Sequence, residues 1–298
     1  MSTLSNLVVG VDGSPESRRA LQWTVAHAQA DSLTLVHGFS PGIELLAAAA
    51  QIGLDSSRAA AGKLLDGEWS EPARHAGMEV STELIDDDAA RALSLIADKV
   101  RADGIVVGQR GHTRWSQRQV GDVAAKLLHR SDVPVIVVGE DAPIAEQAGP
   151  VVVAVNRPTT PMNPELKWAI RFARERSTPL VLAAALEPIS FIDSEFEWTM
   201  DDVRGALRTQ MDALVQSIRS AAPDLDVKSK VRDGVAADTI AAITKGVDAS
   251  LVVIGSHHPG PVAGFFGASV ARHLPTLVTC PTVAVPWIED GVNTAEAA

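Results

Sequence analysis

Short apolar runs rich in Val, Leu and Ile recur along the first half of the chain and alternate with longer stretches whose apolar positions return every three or four residues. The runs are NLVVGVD (6–12), LTLVHGF (33–39), MEVSTELI (78–85), GIVVGQ (104–109) and VPVIVVG (133–139). Nearly continuous apolar runs of this length predict strands covered on both faces. The stretches between them, 14–29, an Ala-rich segment from about 43 to 76, 88–102 and 122–130, predict helices. Ser14-Pro15-Glu16 marks one helix start: the hydroxyl accepts from a first-turn N–H, proline has no donor to satisfy, and Glu suits the positive helix end. Alternation with short links predicts an open, parallel, doubly wound sheet whose ligand crevice lies beyond the carboxyl ends of the strands, where strand order reverses. Asp12 closes the first strand and Gly108 the fourth, so the site is built by two well-separated pieces of chain.

The pattern then repeats. DGIVVGQRG, starting at Asp103, aligns with SLVVIGSHH, starting at Ser250, 147 residues later. The same offset lays GDVAAKL (from Gly121) over ASVARHL (from Ala268), and VPVIVV (from Val133) over CPTVAV (from Cys280). At the first strand the offset is 144, with VVGVDGS from Val8 over VVAVNRP from Val152. A period this long means duplicated domains rather than a solenoid. The expected organisation is a first domain over 1–140, a polar Pro- and Gly-bearing linker over 141–150, a second domain over 151–288 and a loose tail over 289–298. The fifth strand of each half is apolar and is expected at the edge of its own sheet, where an exposed edge invites pairing. Association of whole chains into a homodimer is left open.

Composition narrows the function. Of 298 residues, 46% are hydrophobic and 21% charged, with a net charge of −11. That charge argues against non-specific nucleic-acid binding, which needs a basic face. The start of the chain enters a strand pattern directly and no stretch is long and apolar enough for a bilayer, so a cytoplasmic location without membrane contact is expected. The single cysteine, Cys280, has neither a disulfide partner nor a zinc cluster and reads as a buried structural thiol.

The candidate chemistry lies in VVGQRGHTRWSQRQVGDVA, residues 106–124. Gly108, Gly111 and Gly121 are separated by two and nine residues and lead into a helix start. Glycines of this kind expose backbone N–H groups to a phosphate, and the helix N-terminus favours an anion. VVGVDGSPESRRALQWTVAHA together with ADGIVVGQRG, a nine-residue gap and GDVAAKLLHRSDVPVIVV resembles the universal stress protein family, and because both halves match, its tandem-domain branch.

The resemblance implies the adenine-nucleotide α-hydrolase-like fold: two tandem doubly wound α/β domains, each an open five-stranded parallel sheet with helices on both faces. It also implies a non-enzymatic stress-response protein that binds ATP, ADP or AMP, at most a slow ATPase, whose two halves pair internally by their fifth strands about a pseudo-twofold axis, as single-domain relatives dimerise. The nucleotide site would comprise Gly10, Asp12, Val36, Gly108, Gly111, Gly121, Asp122 and Val123. Asp12 would take the ribose or adenine side, the Val36–His37 segment would lie against the base, and the glycine loop would hold the phosphates.

Asp122 stands where the family has Ser or Thr. A carboxylate about 5 Å from one phosphate charge costs roughly 3 kcal/mol at an effective dielectric near 20, about a hundredfold in affinity. Asp122→Ser is accordingly expected to raise ATP affinity. Asp122 is expected to cap the helix VAAKLLHR with its own carboxylate, filling the anion position internally. Two other arrangements are a Mg²⁺ ion bridging Asp122 to the phosphates, or Arg110, Arg114 and Arg118 offsetting its charge. The second half keeps Gly255 and Ser269, followed by Val270, but has His258 and Ala268 for the later glycines and Asn156 for Asp12. Its site is degenerate, so binding is expected in the first half. The alternative is an interaction or scaffold protein that has lost nucleotide in one or both domains.

The remaining motifs have structural explanations. Asp86–Asp88 precedes a helix and suits capping. Trp23 and Trp168 occupy matching places on the first helix of each half and suit packing. Trp115 suits a surface loop, and His257–His258 lacks the spaced partners a metal needs. No catalytic triad or paired carboxylates can be assembled.

Overall fold

The computed structural model describes residues 3–28, 30, 32–40, 51–111, 120–145, 148–156, 158, 162–187, 199–256 and 266–287. The apolar runs of the first half form β1 (Leu7–Gly10), β2 (Ser32–Gly38), β3 (Glu79–Ile85), β4 (Gly104–Gly108) and β5 (Val135–Val138). The second half supplies β6 (Val151–Ala154), β7 (Leu180–Leu186), β8 (Val227–Asp233), β9 (Leu251–Ser256) and β10 (Thr282–Pro286). The helices are α1 (Pro15–His27), α2 (Gln51–Asp66), α3 (Glu71–His75), α4 (Ala89–Val100), α5 (Asp122–Arg130), α6 (Pro164–Glu175), α7 (Met200–Ala221), α8 (Ala236–Lys245) and α9 (Phe266–His273). α2 and α3 fall within the Ala-rich segment read as helical.

All ten strands join one sheet in the order β3-β2-β1-β4-β5-β10-β9-β6-β7-β8. Pairing is parallel within each half, and Leu7 opposite Gly104 is repeated as Val151 opposite Leu251. The halves meet where β5 and β10 run antiparallel, with Thr282 opposite Val137, Val283 opposite Ile136 and Ala284 opposite Val135. Each fifth strand thereby satisfies the other's edge groups.

Alternating side chains feed two helical layers, as the period of two along a strand demands. Leu7, Val9, Val106, Ile136, Val151, Val253 and Val283 lie under α1, α6 and α7. Val8, Ile105, Val107, Val135, Val152, Val252 and Ala284 lie under α4, α5 and α8. Both layers cross the junction between halves. Trp23 and Trp168 are buried in the first of them, Trp23 stacked on His27 and Trp168 on Phe172, which is the packing role read from the sequence. The connecting segment is partly packed: Ala142 is buried, and Arg19 donates to the Glu140 carbonyl. Among the described residues no helix is long and apolar enough to cross a membrane.

Candidate functional site

Strand order reverses between β1 and β4, because β1 continues to β2 on one side and pairs with β4 on the other. The turn after β1 is rigid. Ser14 is the N-cap of α1 with Pro15 in its first turn, and its hydroxyl accepts from Ser17 N–H at 3.2 Å. Asp12 Oδ1 accepts from Ser14 N–H at 2.9 Å, and Asp12 N–H donates to Ser17 Oγ at 3.3 Å. These bonds fix the carboxylate at the carboxyl end of the sheet. Gly13, at φ 79°, lies directly against the Trp69 indole: a β-carbon there would stand 2.7 Å from Nε1. His37 presents its Nδ1 to the Val11 carbonyl at 2.8 Å and its ring edge-on to Trp69, centroids 5.1 Å apart. Trp69 was not singled out in the sequence. It follows Gly67 in a polar stretch and carries no motif, so only the fold brings it to the site.

The glycine loop leaves and returns at a narrow neck. Gln109 N–H donates to Val138 O at 2.8 Å, and Gly121 N–H donates to Gln109 O at 2.8 Å. A β-carbon on Gly111 would lie 2.7 Å from Asp12 Oδ2, so that carboxylate faces the loop backbone with no room for a side chain between them. Gly121 lets the helix start close on Arg110, whose Cα would be 3.2 Å from an added β-carbon. Gly108 has a different reason from the one read in the sequence. Its missing β-carbon faces α1, where it would meet the Glu16 carbonyl carbon at 2.7 Å and Ser17 N at 2.9 Å. Gly10 likewise faces Leu93 and Val107, each 3.1 Å from an added β-carbon. Val36 turns its side chain into the core beneath α4, and its carbonyl accepts from Val11 N–H at 3.0 Å. His37, rather than Val36, therefore presents a side chain to Trp69. Val123 packs at the margin of the same core.

The expected capping by Asp122 is not what the structure has. Gly121, at φ −63° and ψ 164°, is the N-cap of α5, and no side chain caps it. Asp122 is the first helical residue, one position too late for its carboxylate to serve as cap. Its side chain is 71% exposed and pairs with Lys126 one turn on, Oδ2 to Nζ at 2.7 Å. The same Nζ stands 2.8 Å from Asp88 Oδ2. Asp88 is the N-cap of α4 and accepts from Ala90 N–H, as the run Asp86–Asp88 suggested. Burial pushes the Asp88 carboxyl up, but the Lys126 ammonium and the helix N–H groups outweigh it and hold the pKa below its usual value. Lys126 is raised by its hydrogen bonds to Asp122 and then Asp88. Arg114, Arg118 and Trp115 lie outside the described residues.

The sequence profile described as the Universal stress protein family matches residues 3–139 and 148–286. The chain belongs to the universal stress protein family. It is a tandem-domain member, with a match in each half. Universal stress protein Rv2623 of Mycobacterium tuberculosis is 26% identical over 291 residues, 93% of this chain and 95% of that protein. A universal stress protein of Mycolicibacterium smegmatis is 25% identical over 304 residues, 95% of this chain and 98% of its own length. The crystal structure of a universal stress protein from Archaeoglobus fulgidus shares the fold with a TM-score of 0.66 at 14% identity, covering 97% of this chain and 98% of that one.

The second universal stress protein domain departs further from the first. Asn156 is exposed just beyond β6. His257 and His258 lie outside the described residues, as does the side chain of Ser269 on α9, and Val270 is partly buried. At Gly255 a β-carbon would meet the Glu165 carboxylate at 3.2 Å. Glu165, in the first turn of α6, is only 5% exposed, and its Oε2 is buried without a hydrogen-bond partner. Burial raises its pKa, and hydrogen bonds from its own N–H and from Asn163 oppose this only in part.

The folded protein therefore holds this proton more tightly than the unfolded chain. The associated stability is complete below the ordinary glutamate range and is lost as pH rises through the folded value. Glu165→Gln is expected to be more stable than the parent above neutral pH, with the gap closing in mild acid. Urea midpoints at about pH 5 and about pH 8 check this, and a gap that does not widen with pH would count against it.

Among the described residues no group of three or more His, Cys, Asp or Glu side chains is placed to hold a metal ion. Cys280 is buried, and burial pushes its thiol up to about 12, as suits a structural role.

Proposed function

We propose that this universal stress protein is a non-enzymatic regulator that binds an adenine nucleotide in its first domain, residues 1–140, while the second domain, 151–288, has given up that role. The observation that carries this reading is the close approach of the Asp12 carboxylate to the side of Gly111 that lacks a β-carbon, at the point where strand order reverses. It joins the ribose-side acid and the phosphate loop into one crevice. The base end would be walled by His37 and Trp69, and the phosphates would lie at the Gly111–Gly121 neck before α5, where backbone N–H groups and the helix dipole favour an anion. The Mg²⁺ ion considered for Asp122 has no need to bridge it, since Lys126 already neutralises that carboxylate.

Calorimetric titration with AMP, ADP and ATP tests the reading. It is expected to give saturable binding at one site per chain. Gly111→Val, which would drive a side chain into the Asp12 carboxylate, should abolish it, and mass spectrometry of small molecules that co-purify should find an adenine nucleotide. A chain that takes up no nucleotide at millimolar concentration would favour the scaffold reading, towards which Asp122 in place of a hydroxyl points.

A further inference from the structure

The carboxylate at the mouth of the anion site has an internal counter-cation, and the geometry points to Lys126 as the positioning residue that keeps this crevice open to an anionic ligand. This inference rests on the nucleotide reading of the first domain. Asp122 belongs to the first turn of α5, immediately after the Gly121 neck, where an uncompensated negative charge would oppose a phosphate. Its carboxylate pairs instead with an ammonium one turn further along the helix, 2.7 Å away. An i to i+4 pair lies along the helix surface, so the Asp122 side chain is drawn away from the N-terminal N–H groups.

The ammonium is itself anchored. Asp88 holds Nζ at 2.8 Å from a second helix, and Asp88 is tied to the start of α4 through Ala90 N–H. Lys126 is 40% exposed in its side chain, so either ion pair alone would be weak. Two carboxylates from two helices converging on one Nζ make a network, which holds its geometry better than an isolated surface pair. Asp88 has the positive end of α4 to balance it, which leaves the Lys126 charge for Asp122. Position 122 thus carries an acid without carrying its full electrostatic penalty. No sequence spacing exposes this, because Asp88 and Lys126 belong to different helices.

The test is a double-mutant cycle read by AMP calorimetry on the full chain: parent, Lys126→Met, Asp122→Ser and the double variant, each in EDTA and in Mg²⁺. Lys126→Met is expected to weaken AMP about tenfold when Asp122 is present and less than about twofold in the Asp122→Ser background. With Lys126 paired to it, Asp122→Ser alone is expected to change affinity less than about threefold, in place of the rise of about a hundredfold that an unpaired carboxylate implies, and EDTA is expected to change nothing. Lys126→Arg keeps the charge and is expected to stay within about threefold of the parent, which separates the electrostatic role from any loss of folding.

Equal weakening by Lys126→Met in both backgrounds would mean that Lys126 touches the phosphate directly, and would overturn the inference. So would an unchanged affinity, a requirement for Mg²⁺, or binding that emerges only in the Asp122→Ser proteins. Silence from all four proteins would overturn the nucleotide reading and this inference with it, whereas binding by the parent with a flat cycle would overturn the inference alone.

Discussion

Gly108→Ala is expected to lower the unfolding free energy by about 2–3 kcal/mol, a large effect for one methyl group. The added carbon would stand 2.7 Å from the Glu16 carbonyl carbon, 2.8 Å from Glu16 Cβ and 2.9 Å from Ser17 N. Two of these are backbone atoms in the first turn of α1. That turn cannot yield locally, because Pro15 fixes its own φ and Ser14 caps the helix through Ser17 N–H. Relief requires α1 to move off β4, and the Asp12 turn moves with it.

In the equivalent change in the second half, Gly255→Ala, the three nearest atoms all belong to the Glu165 carboxylate, the first at 3.2 Å. A carboxylate end can rotate aside, so the cost is expected to stay below about 1 kcal/mol. Urea unfolding of the two variants side by side decides the matter through the midpoint at constant slope. Equal midpoint shifts would refute the account of Gly108.

Val283→Asp is expected to be the most damaging single change considered, costing about 4 kcal/mol or more. Val283 is fully buried in β10, opposite Ile136 of β5, at the middle of the ten-stranded sheet. A carboxylate there loses its hydration with no buried partner to replace it. The substitution also strikes the seam where the two halves share both core layers. Denaturation followed by circular dichroism is expected to show the cooperative transition of the parent either lost at 25 °C or split into two. An unfolding curve that overlays the parent would mean that the seam contributes little to stability.

Much of this architecture is legible in the chain because its causes are local. The apolar runs coincide with β1 to β5 to within a residue or two, since a strand buried on both faces needs a nearly unbroken apolar stretch; β3 is the exception, an edge strand with polar residues along it and no fully buried side chain. The Ser14-Pro15-Glu16 start and the Asp88 cap were legible for the same reason: a capping side chain reaches a backbone N–H only two or three residues away. The duplication is visible because each copy had to keep the same strand frame.

The failures share the opposite character. Asp122 is chemically suited to capping, but Gly121 adopts the extended conformation that defines the cap, and one residue of register moves the carboxylate from the helix end to Lys126. Trp69 reaches Gly13 and His37 from a segment with no motif of its own. Gly108 has the look of a ligand glycine, and its close approach to the α1 backbone is a packing constraint that the motif alone does not reveal.

The sequence by itself determined the strands, the helix starts, the duplication and the two stretches of chain that supply the candidate site, because hydrophobic period and capping chemistry act within a few residues. Only the tertiary structure decided which groups neutralise, cover or crowd that site. Asp12 against Gly111, Trp69 over Gly13 and Asp88 on Lys126 are approaches across distant segments, set by how the helices settle on the sheet, and electrostatic and steric forces act over those final ångströms rather than along the chain.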